Sequence, residues 1–582
     1  MRSLPRSLSW LLVLPVLVAA LLNYPSLQIS LQRLLPAWTS LGAVGAPTVA
    51  LQQGNFVGTV LNDGYAHSVE GFIGIPYALP PVGELRFANP VPVTPSNQTF
   101  QATAFGPRCP GKQLRPKPGD LPESEDCLTV NVFRPVGASS DKKLPVGLYI
   151  HGGAFNRGTA KMHDSASMVG WSDEPFIVVS FNYRLGALGF LNSALTAEEG
   201  LLNVGLKDQI LMMEWVQDNI GAFGGDANDV TIFGLSAGAH SIGHHVANIN
   251  SKKTLFHKAV IESGGITSRA VHPYDSKLHE TQFRELAAEV ACESKSDSEI
   301  LACLRDASYE AITDGQGAVF AKYNPSVRWA WQPVIDGDII SRRPTDAWTS
   351  GKWNKVPILT GFNHNEGTMY VPKDMSESDE FEDFFATLLP QMSKEHVKQL
   401  AALYPDPATD ASSQYVETRP AALGPQYKRV EAAYGHYAYV CPVRQTAVYA
   451  STAPEDPPVF LYHWAQNRSV IAGANHADQM WYETMDVDVR GASPTQEEIA
   501  GYFHGYISSF IISGDPNAVK GRYGDRPEWK SYADGGKTMQ FGMGNDEPAG
   551  GSSIGVKAQL VKDDWAAEEC KFWWEQSFSP ED

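Results

Sequence analysis

Positive charge is in short supply in this sequence: 46 lysines and arginines face 65 aspartates and glutamates, a formal net charge of −19. No basic cluster offsets the deficit, which argues against a nucleic-acid partner or an anionic membrane surface. Low-complexity tracts and fixed-period repeats are missing too, so repeat arrays are excluded. Long apolar runs are nearly missing. The exception is Trp10 to Leu22, behind Arg2 and Arg6, which contains "LLVLPVLVAALL" with Pro15 inside it. Thirteen residues are short for a membrane span and suit the core of a signal peptide over residues 1–22, with a cleavage site at Val18-Ala19-Ala20. An uncleaved signal anchor is the alternative. Residues 23–46 read as a linker or pro-segment, and 47–582 as one large domain. No stable membrane span is expected beyond the signal segment.

Cysteine is scarce, at six residues, but the number is even. In a secreted chain these would be oxidised. The sequons Asn97-Gln98-Thr99 and Asn467-Arg468-Ser469 fit that setting as glycosylation acceptors. Cys109 and Cys127 bound a short polar loop, and Cys292 and Cys303 bracket "CESKSDSEILAC". A loop of that size closed by a disulfide gains about 3 kcal/mol in the chain-entropy description. Spacing alone leaves fifteen pairings open for six cysteines. Cys441 and Cys570 could pair or stay as buried thiols.

What the sequence does have is a globular composition, 43% hydrophobic and 19% charged, and two G-x-S-x-G matches among its 51 glycines. Context separates them. Before Ser236, apolar residues from Asp208 to Ile220 fall at helical spacing, "GAFGGDAND" reads as a loop, and "VTIF" reads as a buried strand. After it, "AHSIGHHVANI" resumes helical spacing. A strand-to-helix turn of this kind presents a strained, exposed serine hydroxyl as a nucleophile. The second match, "GSSIG" around Ser553, follows a glycine- and acid-rich stretch and reads as a loop.

A nucleophilic serine needs a base, an orienting acid and oxyanion donors. "LPVGLYIHGGAFNRG" is an apolar strand running into a glycine turn, a source of backbone donors together with the N–H of Ala237. The order serine, acid, histidine points to Glu366 in the loop after "KVPILTGF" and to His476 in "SVIAGANHADQ", with a solvated loop residue as the alternative at each. His240 and His244 have the i, i+4 spacing of metal ligands, with His245 beside them. Without H-E-x-x-H or a third ligand they read as packing or capping residues, and neither a metal nor an organic cofactor is expected.

At this point the chain resembles the type-B carboxylesterase/lipase (cholinesterase-like) family of α/β-hydrolases, in a fungal-type secreted form. The resemblance rests on "FIGIPYALPPVGELRF" at 72–87, "SEDCLTVNVFRP" at 124–135, "NYRLGALGFL" at 182–191, "NIGAFGGDANDVTIFGLSAG" at 219–238, "PVIDGD" at 333–338 and "SGDPN" at 513–517. It implies an α/β fold, a mostly parallel central sheet flanked by helices with large insertions over the site. It also implies a serine carboxylic ester hydrolase with catalytic Ser236, Glu366 and His476, and an oxyanion hole from Gly153, Ala154 and Ala237. Cys109–Cys127 matches the family's first disulfide, and Cys292–Cys303 resembles a second. The implied partner is a small-molecule ester; the oligomeric state stays open.

Departures narrow the substrate. Leu235 stands where many relatives carry a glutamate, and the Cys109–Cys127 loop has no aromatic residue, which weighs against a choline ester. That loop offers Leu114 and Leu121 among four prolines and seven charged residues, which does not support an interfacial lid. Ala154 limits φ relative to glycine, straining that donor. A lipase or sterol esterase, or an acyltransferase using the same residues, are the rival readings; an adhesion ectodomain would be expected to lack a triad member. Trp329 and Trp331 read as core or acyl-pocket residues, and "KFWWEQ" as a docking helix face.

Overall fold

The structure is a computed structural model and describes residues 45–112, 120–269, 271–419 and 423–576. The expected signal segment, nearly all of the 23–46 linker, and the middle of the Cys109–Cys127 loop with Leu114 lie outside the described residues. Among the described residues no helix is long and apolar enough to cross a membrane.

Fourteen strands are present among the described residues. In chain order they begin β1 (Thr48–Leu51), β2 (Gly54–Val57), β3 (Thr59–Leu61), β4 (Val69–Pro76), β5 (Thr99–Gln101), β6 (Thr129–Pro135) and β7 (Leu144–Ile150). There follow β8 (Ile177–Phe181), β9 (Gly225–Leu235), β10 (Lys258–Glu262), β11 (Ile358–Asn363), β12 (Val459–Trp464), β13 (Lys537–Asn545) and β14 (Ile554–Lys562). Eleven form one sheet in the order β14-β13-β12-β11-β10-β9-β7-β8-β6-β4-β3, while β1, β2 and β5 form a small one. From β13 across to β8 every neighbouring pair is parallel; β14 at one edge and β6, β4 and β3 at the other join antiparallel.

Central strands such as β8, "IVVSF", are buried on both faces and so carry a nearly continuous apolar run, here interrupted by Ser180. Alternate side chains feed two cores. Leu148, Val179 and Ile232 point into one with Ile242 of the helix Ala237–Ala247, and Tyr149, Val178 and Phe233 into the other with Ile507 and Phe510 of the helix Pro494–Ser513. The longer helix has sharp ends: Ser493 accepts from the Gln496 N–H, proline opens its first turn, and Gly514 closes it at φ 78.

One local expectation needs correction. "GAFGGDAND" is not a loop throughout: Ile220–Phe223 form a 3-10 turn, Gly224 reverses the chain at φ 88, and β9 already starts at Gly225. Gly225 is drawn into the ladder by pairing with Leu144, at an irregular step in register.

All six cysteines are paired, as Cys109–Cys127, Cys292–Cys303 and Cys441–Cys570. The third bond ties the C-terminal helix Ala567–Gln576 to the helix Cys441–Tyr449, with Phe572 and Trp573 buried beside it. It spans 129 residues, against 11 for Cys292–Cys303. In the chain-entropy description the longer closure is worth about 4–5 kcal/mol and the shorter about 3. The double variant Cys441→Ala/Cys570→Ala is thus expected to melt below Cys292→Ala/Cys303→Ala in thermal unfolding; the reverse order would contradict that account.

Candidate active site

Four neighbouring regions of the sheet discharge their loops at the carboxyl ends of parallel strands, where ligands of open α/β sheets gather. Ser236 stands where β9 gives way to the helix Ala237–Ala247, with φ 60 and ψ −123. Such a backbone is strained for any residue with a Cβ, by about 1–3 kcal/mol, and persists only where its surroundings impose it. Two glycines allow it. A Cβ on Gly238 would lie 2.0 Å from the Ile150 carbonyl oxygen, and one on Gly234 2.3 Å from the same atom. The turn is locked by hydrogen bonds of 2.9 Å from the Ser236 N–H to the Glu262 carbonyl and from the His240 N–H to the Ser236 carbonyl. Ser236 thus sits at a helix N-terminus, whose free N–H groups favour negative charge.

Strand β11 leads into Glu366, and its neighbour β12 into the loop holding His476. Both side chains are buried. His476 Nδ1 lies 2.5 Å from Glu366 Oε2, and Glu366 Oε1 accepts from the Asn363 N–H at 2.7 Å. The two loops are stitched together. The Asn365 N–H donates to the Ala474 carbonyl at 2.9 Å, and the Asn363 amide donates to the Asn475 carbonyl at 2.6 Å and to Gln479 Oε1 at 2.8 Å. With Nδ1 occupied, His476 Nε2 is buried and has no hydrogen-bond partner among the described residues. The rings of Tyr439 and Tyr370 pack on this imidazole, 4.4 and 5.5 Å away between centroids.

The glycine turn after β7 is strained as well. Gly153, Ala154 and Phe155 follow one another at φ 113, 56 and 60, so Ala154 does adopt the left-handed conformation that its Cβ disfavours. Its carbonyls are held. Gly153 O accepts the N–H groups of Asn156 and Arg157, each at 3.1 Å, and Ala154 O accepts the amides of Asn156 at 2.8 Å and Gln332 at 3.0 Å. A trans peptide aims its N–H opposite to its carbonyl. Holding the Gly153 carbonyl inside the turn therefore turns the Ala154 N–H out of it. The Gly152 carbonyl, 2.9 Å from His151 Nδ1, does the same for the Gly153 N–H. Ala237, first residue of its helix, has no intrahelical acceptor for its N–H.

A cavity of about 50 Å³ is lined by Arg269, Trp329, Gln332 and Tyr434 among others; neither Ser236, His476 nor the glycine turn lines it. Gln332 joins it to the Ala154 carbonyl, and Trp329, 5.6 Å from Tyr370, joins it to the wall around His476. A larger cavity, about 510 Å³, opens behind Glu366 against His364, Lys428 and Trp565; neither Ser236 nor His476 lines it. Of the remaining sequence candidates, His245 Nε2 bonds Gln209 at 2.8 Å, and His240 lies between Phe155 and Tyr439. Trp331 is buried with its indole N–H on the Gln316 carbonyl. Ser553 sits on the exposed turn between β13 and β14 and donates its hydroxyl to the Gly544 carbonyl. Asn97 is exposed and Asn467 half-buried. Asn363, Gln332, Arg269 and Tyr439 were not singled out from the sequence, because none lies in a motif.

Nor were Glu262 and Glu483, two buried carboxyl groups packed against each other beneath the Ser236 turn. Tyr462 donates to Glu262 Oε1 at 3.1 Å, and His163 Nε2 lies 3.8 Å from Glu483 Oε1. Burial pushes both carboxyls up from their ordinary value, and for Glu262 the neighbouring Glu483 adds to the shift. A raised folded-state value means the proton is held in the fold: the stability it brings is whole below about pH 4.3 and is lost as pH rises towards the folded value. Glu483→Gln supplies a permanent donor and escapes that loss. Its melting temperature relative to the unsubstituted protein is expected to climb from pH 5 to pH 8; a constant difference would rule out the shared proton.

Comparison with known proteins identifies the family of the chain. Residues 45–573 match the carboxylesterase family. Secreted lipase 4 of Gibberella zeae is 36% identical over 523 residues, 88% of this chain and 89% of the relative. Lipase 1 of Geotrichum candidum is 31% identical over 539 residues, 85% and 91% of the two chains. The crystal structure of Aspergillus niger EstA superposes with a TM-score of 0.78 at 28% identity, covering 92% of this chain and 99% of that one. The chain with the Ser236 turn therefore belongs to the carboxylesterase family and is a carboxylic ester hydrolase with the α/β-hydrolase fold.

Proposed function

We propose that Ser236 is the nucleophile, His476 the general base and acid, Glu366 its orienting carboxylate, and the N–H groups of Gly153, Ala154 and Ala237 the oxyanion donors. One observation carries this reading. The buried Glu366 holds His476 through Nδ1 and leaves Nε2 unpaired, at the same end of the sheet as the strained Ser236. His476 Nε2 takes the Ser236 proton as Oγ attacks the ester carbonyl. The three N–H groups receive the oxyanion, a donor of this kind being worth about 10²–10³ in rate. His476 then gives the proton to the leaving alcohol. Water repeats the cycle on the acyl-enzyme, returning the acid and the free serine. Glu366 fixes the imidazole tautomer and stabilises its charged form.

The apolar run at Trp10–Leu22, the three disulfides and the secreted relative from Gibberella zeae support export of the chain, with Asn97 and Asn467 as glycosylation acceptors. A second reading of the substrate, long-chain esters, is favoured by the relatives named as lipases.

Hydrolysis of p-nitrophenyl esters from acetyl to palmitoyl separates the two. Activity peaking at short chains is expected; a rise toward palmitoyl would establish the long-chain reading. Ser236→Ala is expected to remove turnover, by about 10⁴-fold or more in kcat, and Ser553→Ala to leave it intact. The opposite pattern would overturn the assignment of the nucleophile.

A further inference from the structure

The loop after β10, the strand lying between those that lead to Ser236 and to Glu366, carries Arg269 at φ 67. Its guanidinium lies 4.1 Å from the centre of the Trp329 ring and 5.6 Å from that of Tyr439, and Nη2 donates to the Tyr439 hydroxyl at 2.6 Å. Tyr439 in turn packs on His476. Of the remaining donors, Nε and Nη1 are out of reach of solvent and make no direct hydrogen bond among the described residues, with the Tyr434 hydroxyl facing the guanidinium. Among the described residues no carboxylate answers the charge. The groups that bear on it are the hydroxyls of Tyr439, Tyr434 and Tyr370.

That combination is costly. A guanidinium does not release its proton in a protein, so Arg269, half-buried with Nε and Nη1 shielded from water, stays charged there. Buried charges in proteins are paired, and an unpaired one beside a reaction site is a site for a counter-ion. Aromatic faces offset part of the cost but occupy no N–H donor. The surroundings add positive charge: Arg328 lines the same cavity, and Arg157 acts on Tyr370. All of this stands in a chain whose net charge is −19.

We propose that Arg269 determines specificity by binding a carboxylate carried by the ester substrate, held against Trp329 and Tyr439. The inference rests on the hydrolase reading for the position of the ester but not for the binding of the anion. The natural substrate is then a half-ester of a dicarboxylic acid, or an ester of a hydroxy acid, in place of a neutral lipid.

Two ester pairs, similar in size but differing in charge, test it on both sides of the scissile bond. Mono-p-nitrophenyl glutarate against p-nitrophenyl pentanoate places the carboxylate on the acyl group; 4-acetoxybenzoate against phenyl acetate places it on the leaving group. In Arg269→Gln the ratio of kcat/KM, anionic over neutral, is expected to fall at least about 30-fold in one pair, the low end of what truncating a buried charge pair costs. Arg269→Lys, which keeps the charge, is expected to recover part of the ratio. Ratios that stay within about threefold of the unsubstituted enzyme in both pairs, well under the cost of losing such a pair, would overturn the proposal and leave Arg269 as a support for Tyr439. Calorimetric titration of Ser236→Ala with benzoate and benzamide needs neither turnover nor a folded Arg269 variant. Tighter binding of benzoate is expected, and equal binding would overturn the proposal. An enzyme inert on all four esters that still prefers benzoate would count against the hydrolase reading alone.

Discussion

The close approach of the end of β7 to the Ser236 turn sets the geometry of the site. One carbonyl oxygen, that of Ile150, lies against both Gly234 and Gly238, within about the length of two bonds of where their Cβ atoms would be. The next residues continue the contact: a Cβ on Gly152 would fall 2.5 Å from the Leu235 carbonyl and 3.0 Å from Ser236 Cβ. The glycine turn proposed to hold the oxyanion begins at the same place. Three glycines therefore fix the separation between the N–H groups of the β7 turn and the hydroxyl of Ser236. Reaction rates fall about 10²-fold for misplacements near 1 Å, so the spacing has to be built into backbone contacts and cannot be left to flexible side chains. The strain at Ser236 and Ala154 is the cost of that spacing, and the hydrogen bonds to Glu262 O, Gly153 O and Ala154 O sustain it.

The proposed acid and base, Glu366 and His476, solve a different problem. They arrive on two long loops, and loops are where geometry is ordinarily loosest. Here Asn365 and Asn475 pair as an isolated bridge, and side chains and backbone of both loops exchange hydrogen bonds on either side of it. Gly473, at φ 62, is needed because a Cβ there would run into the Asn365 side chain at 2.2 Å. The loops thus behave as an added pair of strands above the sheet. Burial then excludes the water that would compete for Nδ1.

These two solutions differ in how visible they are in the sequence. The Ser236 turn and the glycine turn after β7 are local. Strand, glycines and helix are contiguous, so "VTIFGLSAGAH" and "LYIHGGAF" disclose the elements and the reason for each glycine. Glu366 and His476 are 110 residues apart, and only the order of residues and the family motifs selected them among 65 acids and 15 histidines. Cys441–Cys570 was open for the same reason: a closure over 129 residues leaves no local trace. The start of β9 at Gly225 was hidden because glycine and aspartate signal a turn, and cross-strand pairing with Leu144 overrode that signal. Glu262, Glu483 and Arg269 lie in unremarkable stretches. Their significance comes from the groups that the fold packs around each of them, which cannot be read along a chain.

Charge has to be considered on two scales. The net charge of −19 describes the surface, and it repels an anion at long range. Ions screen that repulsion beyond about 8 Å at physiological ionic strength. Inside the pocket the screening is weak, and a single guanidinium acts at hydrogen-bond range. An acidic surface around a basic pocket therefore slows encounter slightly and discriminates after it, because the attraction is felt only by a group already inside. A surface cation would act the other way, raising the encounter rate for every anion while distinguishing little among them. Placing the positive charge at Arg269, with Trp329 and Tyr439 on its faces, makes recognition depend on the shape and the charge of the substrate together.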